Sequence, residues 1–259
     1  LYQVKRSARR DNHLLQIATL VAMEPPASFD ATALRNEKVK VLSSIRPMQA
    51  DEVLQNTVRA QYKGYLNEEG VDPASTTPTY AAVRLQIDNW RWQGVPFYMR
   101  TGKRMSESTS LITIQFRPVP HHSFPTEAAE NWQPNRIIMN IQPEMGIRLR
   151  FQAKRPGLKM QISPVDMEFD YKESYPTGTP EAYETLLLDV MLGDATLFMR
   201  ADQVESAWEI LSPILEKWES NPSVAFPNYA AGLQGPEEAE SLIARDGHNW
   251  FVMPMNNHG

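Results

Sequence analysis

The chain has 259 residues, 26 basic and 31 acidic side chains, a net charge of −5, 20 prolines and no cysteine. That length suits one large domain or two small ones, and the missing cysteine excludes a disulfide framework, a thiolate metal site and a cysteine nucleophile. The mild acidity argues against a general nucleic-acid binder, which carries a basic field, and the lack of disulfides fits a reducing compartment.

The first ten residues carry Lys5, Arg6, Arg9 and Arg10, and an apolar run follows from Leu14 to Met23. This imitates a signal peptide. However, Gln16 and Thr19 interrupt the run, and Glu24 and Pro25 stand where small cleavage-site residues belong. The run is also well short of the roughly 20 apolar residues of a membrane span. Asp30 can cap a helix from about Ala31 to Ile45, with Leu34, Val41 and Ile45 on one stripe. Residues 53–62 read as a weak strand, and Val83, Leu85 and Ile87 as another. Four further segments alternate apolar with polar: 112–116, 137–141, 147–152 and 167–171. Period two places the apolar set on one face, as in an antiparallel sheet with one buried and one wet side.

Between the first two of these segments, residues 117–132 read as a loop carrying adjacent His121 and His122, which point opposite ways on an extended chain and make a poor metal pair. Thr179 and Pro180 resemble a cap and first turn. After them Tyr183, Leu186, Leu187, Val190 and Met191 have the spacing of a buried helical face. Asp202 opens another helix with Val204, Ala207, Trp208, Leu211, Leu215 and Trp218 on one side, and Pro213 is expected to kink it. Strands in the middle and helices at both ends indicate an α+β fold: a large, mostly antiparallel sheet with helices packed on one face.

No Gly-x-Gly-x-x-Gly, Gly-x-Ser-x-Gly or His-Glu-x-x-His is present, so a nucleotide loop, a serine elbow and a zinc helix are all missing from this sequence. Three segments stand out. Asp11-Asn12-His13-Leu14-Leu15-Gln16 opens an apolar helix with polar residues. A histidine there has the unperturbed pKa of a base at neutral pH, or it serves as a capping or packing residue. Trp90-Arg91-Trp92 reads as a structural corner or a ligand platform. Tyr98-Met99-Arg100-Thr101-Gly102-Lys103-Arg104 puts three cations within five residues, which is either an anion site for a phosphate or a solvated basic turn.

Asn12-His13-Leu14-Leu15-Gln16, Ala22-Met23-Glu24-Pro25-Pro26 and Asn36-Glu37-Lys38-Val39-Lys40-Val41-Leu42 resemble glucose-6-phosphate dehydrogenase. So do Asp88 to Trp92, Gly102-Lys103-Arg104, Ala182-Tyr183-Glu184 and Leu187-Leu188-Asp189-Val190. The likeness runs from about residue 11 to about 254. It divides the chain into an unmatched segment, 1–10, and a region, 11–259, like that family's C-terminal domain. The resemblance implies an NADP-dependent oxidation of glucose 6-phosphate to the lactone in the pentose phosphate pathway, in the cytoplasm. It implies that His13 takes the proton from the anomeric hydroxyl, that Lys103 helps hold the sugar phosphate, and that Arg100 sits where some members contact a second, structural NADP. It implies no metal, no nucleic acid and no membrane, and either a homo-oligomer or a partner supplying a nucleotide domain.

The departures from the family are specific. Its nucleotide domain and its His-Tyr-Leu-Gly-Lys-Glu segment have no counterpart here. Ala8 stands where an acidic residue orients the histidine, Ser108 where a second basic residue is usual, and Asn140 where some members have an arginine for the structural NADP. Thr77-Pro78-Thr79 replaces Thr-Glu-Thr. The expectation is therefore an enzyme incomplete as this chain. The alternative is a non-catalytic module that binds a sugar phosphate or mediates oligomerisation.

Overall fold

A computed structural model describes residues 13–119, 125, 132–175, 182–221 and 225–252. The unmatched segment 1–10, His121 and His122, most of the 117–132 loop and the Thr179–Pro180 cap lie outside the described residues. The chain forms two compact units, one built from residues 1–107 and 182–259, the other from 108–181.

The first unit opens with α1 over residues 13–22. Helix α2, Ala31–Ser44, starts where expected: the Asp30 carboxylate accepts from the backbone N–H of Thr32 and Ala33 at 2.9 Å each, filling two donors that a helix start leaves open. The segment expected as one weak strand divides. Val53–Asn56 is a single helical turn, α3, and only Thr57–Ala60 is strand β1. Glu52 ends the preceding turn by accepting from Gln49 N–H, and its carbonyl takes the Asn56 N–H, so the local hydrogen bonds favour a turn before the chain can extend. β2 (Tyr80–Gln86) pairs antiparallel with both β1 and β3 (Pro96–Gly102).

Alternation sorts this three-stranded sheet into two faces. Ala81, Val83, Leu85 and Ile87 face a core shared with Leu15 and Ala22 of α1, with Val41 and Leu42 of α2, and with α6, Ala201–Ser220. Tyr80 and Ala82 face a second core with Tyr62, Tyr229 and the Ala239 and Leu242 of α7, Glu237–Ala244. Helices α1, α2 and α6 therefore pack on one face as expected, and α7 with its flanking segment covers the other.

Helix α6 departs from the sequence reading in three ways. Its N-cap is Arg200, whose N–H donates to the Gln203 side chain at 2.8 Å. It runs unbroken through Pro213 for 20 residues. Its buried stripe is Gln203, Ala207, Ile210, Leu211, Ile214 and Trp218, while Trp208 is exposed. The apolar residues cover a wide arc of this helix, so periodicity alone did not say which edge of the arc turns inward.

The second unit is a four-stranded antiparallel sheet in the order β4 (Ser110–Gln115), β5 (Arg136–Gln142), β6 (Gly146–Lys154), β7 (Ile162–Asp170), and the short α4 (Tyr171–Ser174) follows it. The α+β class and the antiparallel pairing are as expected, with the strands shared between two sheets. The burial of this sheet reverses the expectation from alternation. Met139, Ile147 and Phe169 share a face, as do Ile137, Leu149 and Met167. Ile147, Phe169 and Met167 are nevertheless 41%, 40% and 62% exposed. On the other face the more sheltered Arg148 and Arg150 bond to Glu168 and Asp166 at 2.8 and 2.7 Å. Helix α5, Ala182–Leu192, forms on the expected residues, but Tyr183, Leu187, Val190 and Met191 are exposed. Apolar spacing makes such a face; burying it requires a covering surface.

Candidate functional site

The turn after β3 is held by backbone and side-chain hydrogen bonds from distant parts of the first unit. Odd positions of β3 (Phe97, Met99) pack toward the core shared with α1, and even positions (Tyr98, Gly102) face the other core. Lys103 lies just past the strand, in the turn. The Lys103 N–H donates to the Thr79 carbonyl at 2.9 Å, and its own carbonyl accepts from the Tyr229 hydroxyl at 2.8 Å. Arg104 then takes a left-handed conformation with φ of 51°, held by the Gly232 N–H on its carbonyl at 2.8 Å. Such a backbone is uncommon outside glycine and persists where surrounding bonds enforce it.

Lys103 lines a cavity of about 740 Å³ together with Tyr62, Tyr65, Glu68, Thr79 and Arg104. That is the size of a small-molecule site. Arg104 bonds to Glu68 at 3.0 Å, and the Tyr62 hydroxyl donates to the same carboxylate at 2.9 Å. These contacts, the Tyr62 bond first and then Arg104, hold the Glu68 carboxyl below the usual range.

The expected basic cluster is therefore not one anion site. Arg104 is engaged by Glu68. Arg100 faces the second core, where its guanidinium bonds to the Gln234 carbonyl and side-chain oxygen at 3.1 and 3.0 Å, lies 4.0 Å from Glu240, and stacks on Trp250 at 4.7 Å. Lys103 is exposed and lines the cavity. Sequence alone ran the three cations together because adjacent positions separate only once strand phase and the partners far along the chain are known.

His13 is exposed in the first described turn of α1. At the other end of that helix, the Ala22 carbonyl accepts the Trp92 Nε1–H at 2.9 Å, and Leu15 and Ala22 anchor the helix in the core. The helix, about 14 Å long at 1.5 Å per residue, therefore carries His13 away from the β2–β3 connection. His13 is not among the residues lining the cavity. The Trp90-Arg91-Trp92 segment is a structural corner: Trp92 packs edge-on to Phe97 at 5.1 Å, and Arg91 grips Glu24 with bonds of 2.6 and 2.5 Å. Trp90 is fully exposed.

Sequence reasoning missed Tyr229, Thr79, Tyr80 and Gly235. Tyr80 is 1% exposed, and a Cβ on either Gly102 or Gly235 would stand 2.6 Å from its ring. Gly235 also has φ of 127°, open to glycine and strained for other residues. Burial pushes the Tyr80 hydroxyl up to about 12, against the opposing pull of Arg100. The glycines at 102 and 235 were visible in the sequence; what they accommodate was not.

Two antiparallel sheets and their helices define an α+β fold, with a hydrogen-bonded lysine turn beside a cavity of small-molecule size. Residues 9–251 match the family described as glucose-6-phosphate dehydrogenase, C-terminal domain, and the chain belongs to it. The glucose-6-phosphate 1-dehydrogenase of Mycolicibacterium smegmatis is 46% identical over 261 residues, covering 96% of this chain and 52% of that protein. That of Bacillus subtilis is 40% identical over 263 residues, covering 96% and 53%. A solved glucose-6-phosphate dehydrogenase in complex with its substrate glucose 6-phosphate is similar with a TM-score of 0.82 and 35% identity, covering 94% of this chain and 50% of that one. The crystal structure of glucose-6-phosphate 1-dehydrogenase from Mycobacterium avium gives 0.79 and 34%, covering 95% and 50%. The chain thus spans about half the length of the relatives it matches. Among the described residues no helix is long and apolar enough to cross a membrane.

Proposed function

We propose that this chain forms the sheet-bearing part of an NADP-dependent glucose-6-phosphate 1-dehydrogenase of the pentose phosphate pathway. In this reading the enzyme works in the cytoplasm, as a homo-oligomer or with a partner that supplies the nucleotide domain. The reading is supported by family membership together with the Lys103 turn, whose backbone is bonded at both its N–H and its carbonyl beside a cavity of about 740 Å³. Lys103 supplies a cation to the sugar phosphate, a charge-assisted contact. Its backbone is held at both ends, so less freedom is lost on binding.

Oxidation at C1 of the sugar removes the hydroxyl proton and the C1 hydrogen with its electron pair. His13 takes the proton on an imidazole nitrogen, the kind of side chain most often used as a general base near neutral pH. Among the described residues no strand-turn-helix dinucleotide loop for the hydride acceptor is formed. Dinucleotide sites use a glycine-rich turn between a parallel strand and a helix, whereas every named strand pairing here is antiparallel. Arg100, the candidate for a second NADP, is committed to Gln234 and Trp250 with the Glu240 carboxylate nearby, so a nucleotide phosphate there would have to displace them. No hydride step is assigned to this chain.

Calorimetric titration with glucose 6-phosphate and with glucose tests the binding half of the reading. Binding of the phosphate ester that weakens at least tenfold in Lys103→Ala is expected; equal binding by that variant removes Lys103 from the site. NADP reduction, assayed with and without a nucleotide-domain protein, tests the rest. Activity that survives His13→Ala would refute the assignment of the base.

A further inference from the structure

We infer that Tyr229 and Thr79 act as positioning residues for Lys103. The inference rests on the reading of Lys103 as the phosphate contact. Four polar groups form one chain. The Tyr62 backbone N–H donates to Thr79 Oγ1 at 3.0 Å. Thr79 Oγ1 and the Tyr229 hydroxyl are 3.1 Å apart, and the Tyr229 hydroxyl donates to the Lys103 carbonyl at 2.8 Å.

Only one arrangement of hydrogens satisfies all of them. A hydroxyl has a single proton, and that of Tyr229 goes to Lys103, whose carbonyl has none to give. The Thr79 hydroxyl must then donate to Tyr229 and accept from Tyr62. The chain therefore has a fixed direction and ends on Lys103, and each link polarises the next. Thr79 holds Lys103 twice, through its own carbonyl on the Lys103 N–H at 2.9 Å and through its hydroxyl by way of Tyr229.

The anchor of this device is rigid. Tyr229 is 3% exposed and packs edge-on against Tyr62 at 6.3 Å and Tyr80 at 5.7 Å. Its own backbone carbonyl accepts the Lys63 N–H at 2.9 Å, and the neighbouring Asn228 is bonded to Gln61 through both its N–H and its side chain, also at 2.9 Å. Burial raises the Tyr229 pKa further above neutrality, so the hydroxyl is protonated and able to donate. A residue 126 positions along the chain thus fixes where the lysine's backbone leaves β3.

Tyr229→Phe removes one hydroxyl and keeps the ring, so the packing survives. Amide hydrogen exchange on the whole chain reads the clamp without any ligand. Loss of one net hydrogen bond, about 1 kcal/mol or roughly fivefold in an equilibrium, is expected to speed exchange about 3- to 10-fold in a peptide covering residues 101–106. Amides of β2 and α6 should keep their rates. Thr79→Val should do the same, and the double variant should add little beyond either single one. Calorimetry then reads the consequence: affinity for glucose 6-phosphate falls about 3- to 10-fold in Tyr229→Phe.

Unchanged exchange at 101–106, or uniform acceleration across the unit, would overturn the positioning role. So would wild-type affinity for glucose 6-phosphate in a variant whose turn has been shown to loosen. If the wild type binds glucose 6-phosphate but Lys103→Ala binds equally well, the substrate reading fails and the inference fails with it, even if the exchange result stands.

Discussion

Gly102→Ala isolates a single methyl group at the hinge between β3 and the lysine turn. The added carbon would lie 2.6 Å from Tyr80 Cδ2 and 2.7 Å from Met105 Sδ. Met105 can swing away, because thioethers adapt readily. Tyr80 cannot: it is 1% exposed, meets Tyr229 edge-on at 5.7 Å, and already lies against Gly235 along the same ring. Overpacking of this kind costs about 1–3 kcal/mol. At roughly 2–4 °C per kcal/mol for a protein of this size, the midpoint of the first unit should fall by several degrees. Urea unfolding followed by tryptophan fluorescence gives the free energy, and a double-mutant cycle with Tyr80→Leu locates it. Shortening Tyr80 should recover about 1 kcal/mol or more of the alanine penalty, as expected for residues in direct contact. If Gly102→Ala costs less than about 0.5 kcal/mol, within the range of an ordinary surface change, or costs the same in both backgrounds, the wedge between these residues is not real.

Among the described residues the buried Tyr80 hydroxyl has no partner in hydrogen-bond geometry, and it lies next to Arg100 and within range of Glu240 and Tyr229. Its pKa, pushed up to about 12 from 10 chiefly by burial, means that the unfolded chain loses this proton first as pH rises. Stability should therefore be full below pH 10 and fall between pH 10 and about 12. Tyr80→Phe should flatten that decline while costing little or nothing at pH 7, because an unpaired buried hydroxyl is no asset; urea titrations across the pH range check both. Trp218→Phe removes the bond from Nε1–H to the Thr57 hydroxyl, 2.9 Å long and buried, and should destabilise the first unit by about 1–3 kcal/mol; Thr57→Val in the same background should cost more still, because that hydroxyl also donates to the Val53 carbonyl at 2.7 Å. Leu187 and Met191 of α5 are 59% and 81% exposed. Leu187→Glu with Met191→Glu should lower self-association in sedimentation and binding of a hydrophobic dye, with stability changed by no more than about 0.5 kcal/mol.

Much of the fold was legible because its signals are local. The Asp30 cap, the α2 stripe and the four alternating segments of the second sheet each reside in a few neighbouring residues, and each element forms there. The 53–62 segment was misread because the Glu52 and Gln49 bonds that fold Val53–Asn56 into a turn compete with strand propensity within a handful of residues. Family membership was legible too, from long ordered motifs, and it directed attention to His13 and Lys103.

The sequence by itself marked the capped α2, most of α6, the four strands of the second sheet and their apolar faces, and that a lysine follows a glycine at 102–103. Only the tertiary structure decided what those features meet. Alternation marked an apolar face on β6 and β7, yet a face is buried only where another surface covers it, and here the sheltered side carries Arg148 and Arg150. The pattern of α5 likewise makes a face without supplying a cover. The lysine turn makes the point most sharply. Thr79, Tyr229 and Gly235 are separated from Lys103 by 24 to 132 positions in the sequence, and no local rule links them. Hydrogen bonds and close contacts reach only a few ångströms, so the chain must fold before any of them can hold the residue proposed to meet the substrate.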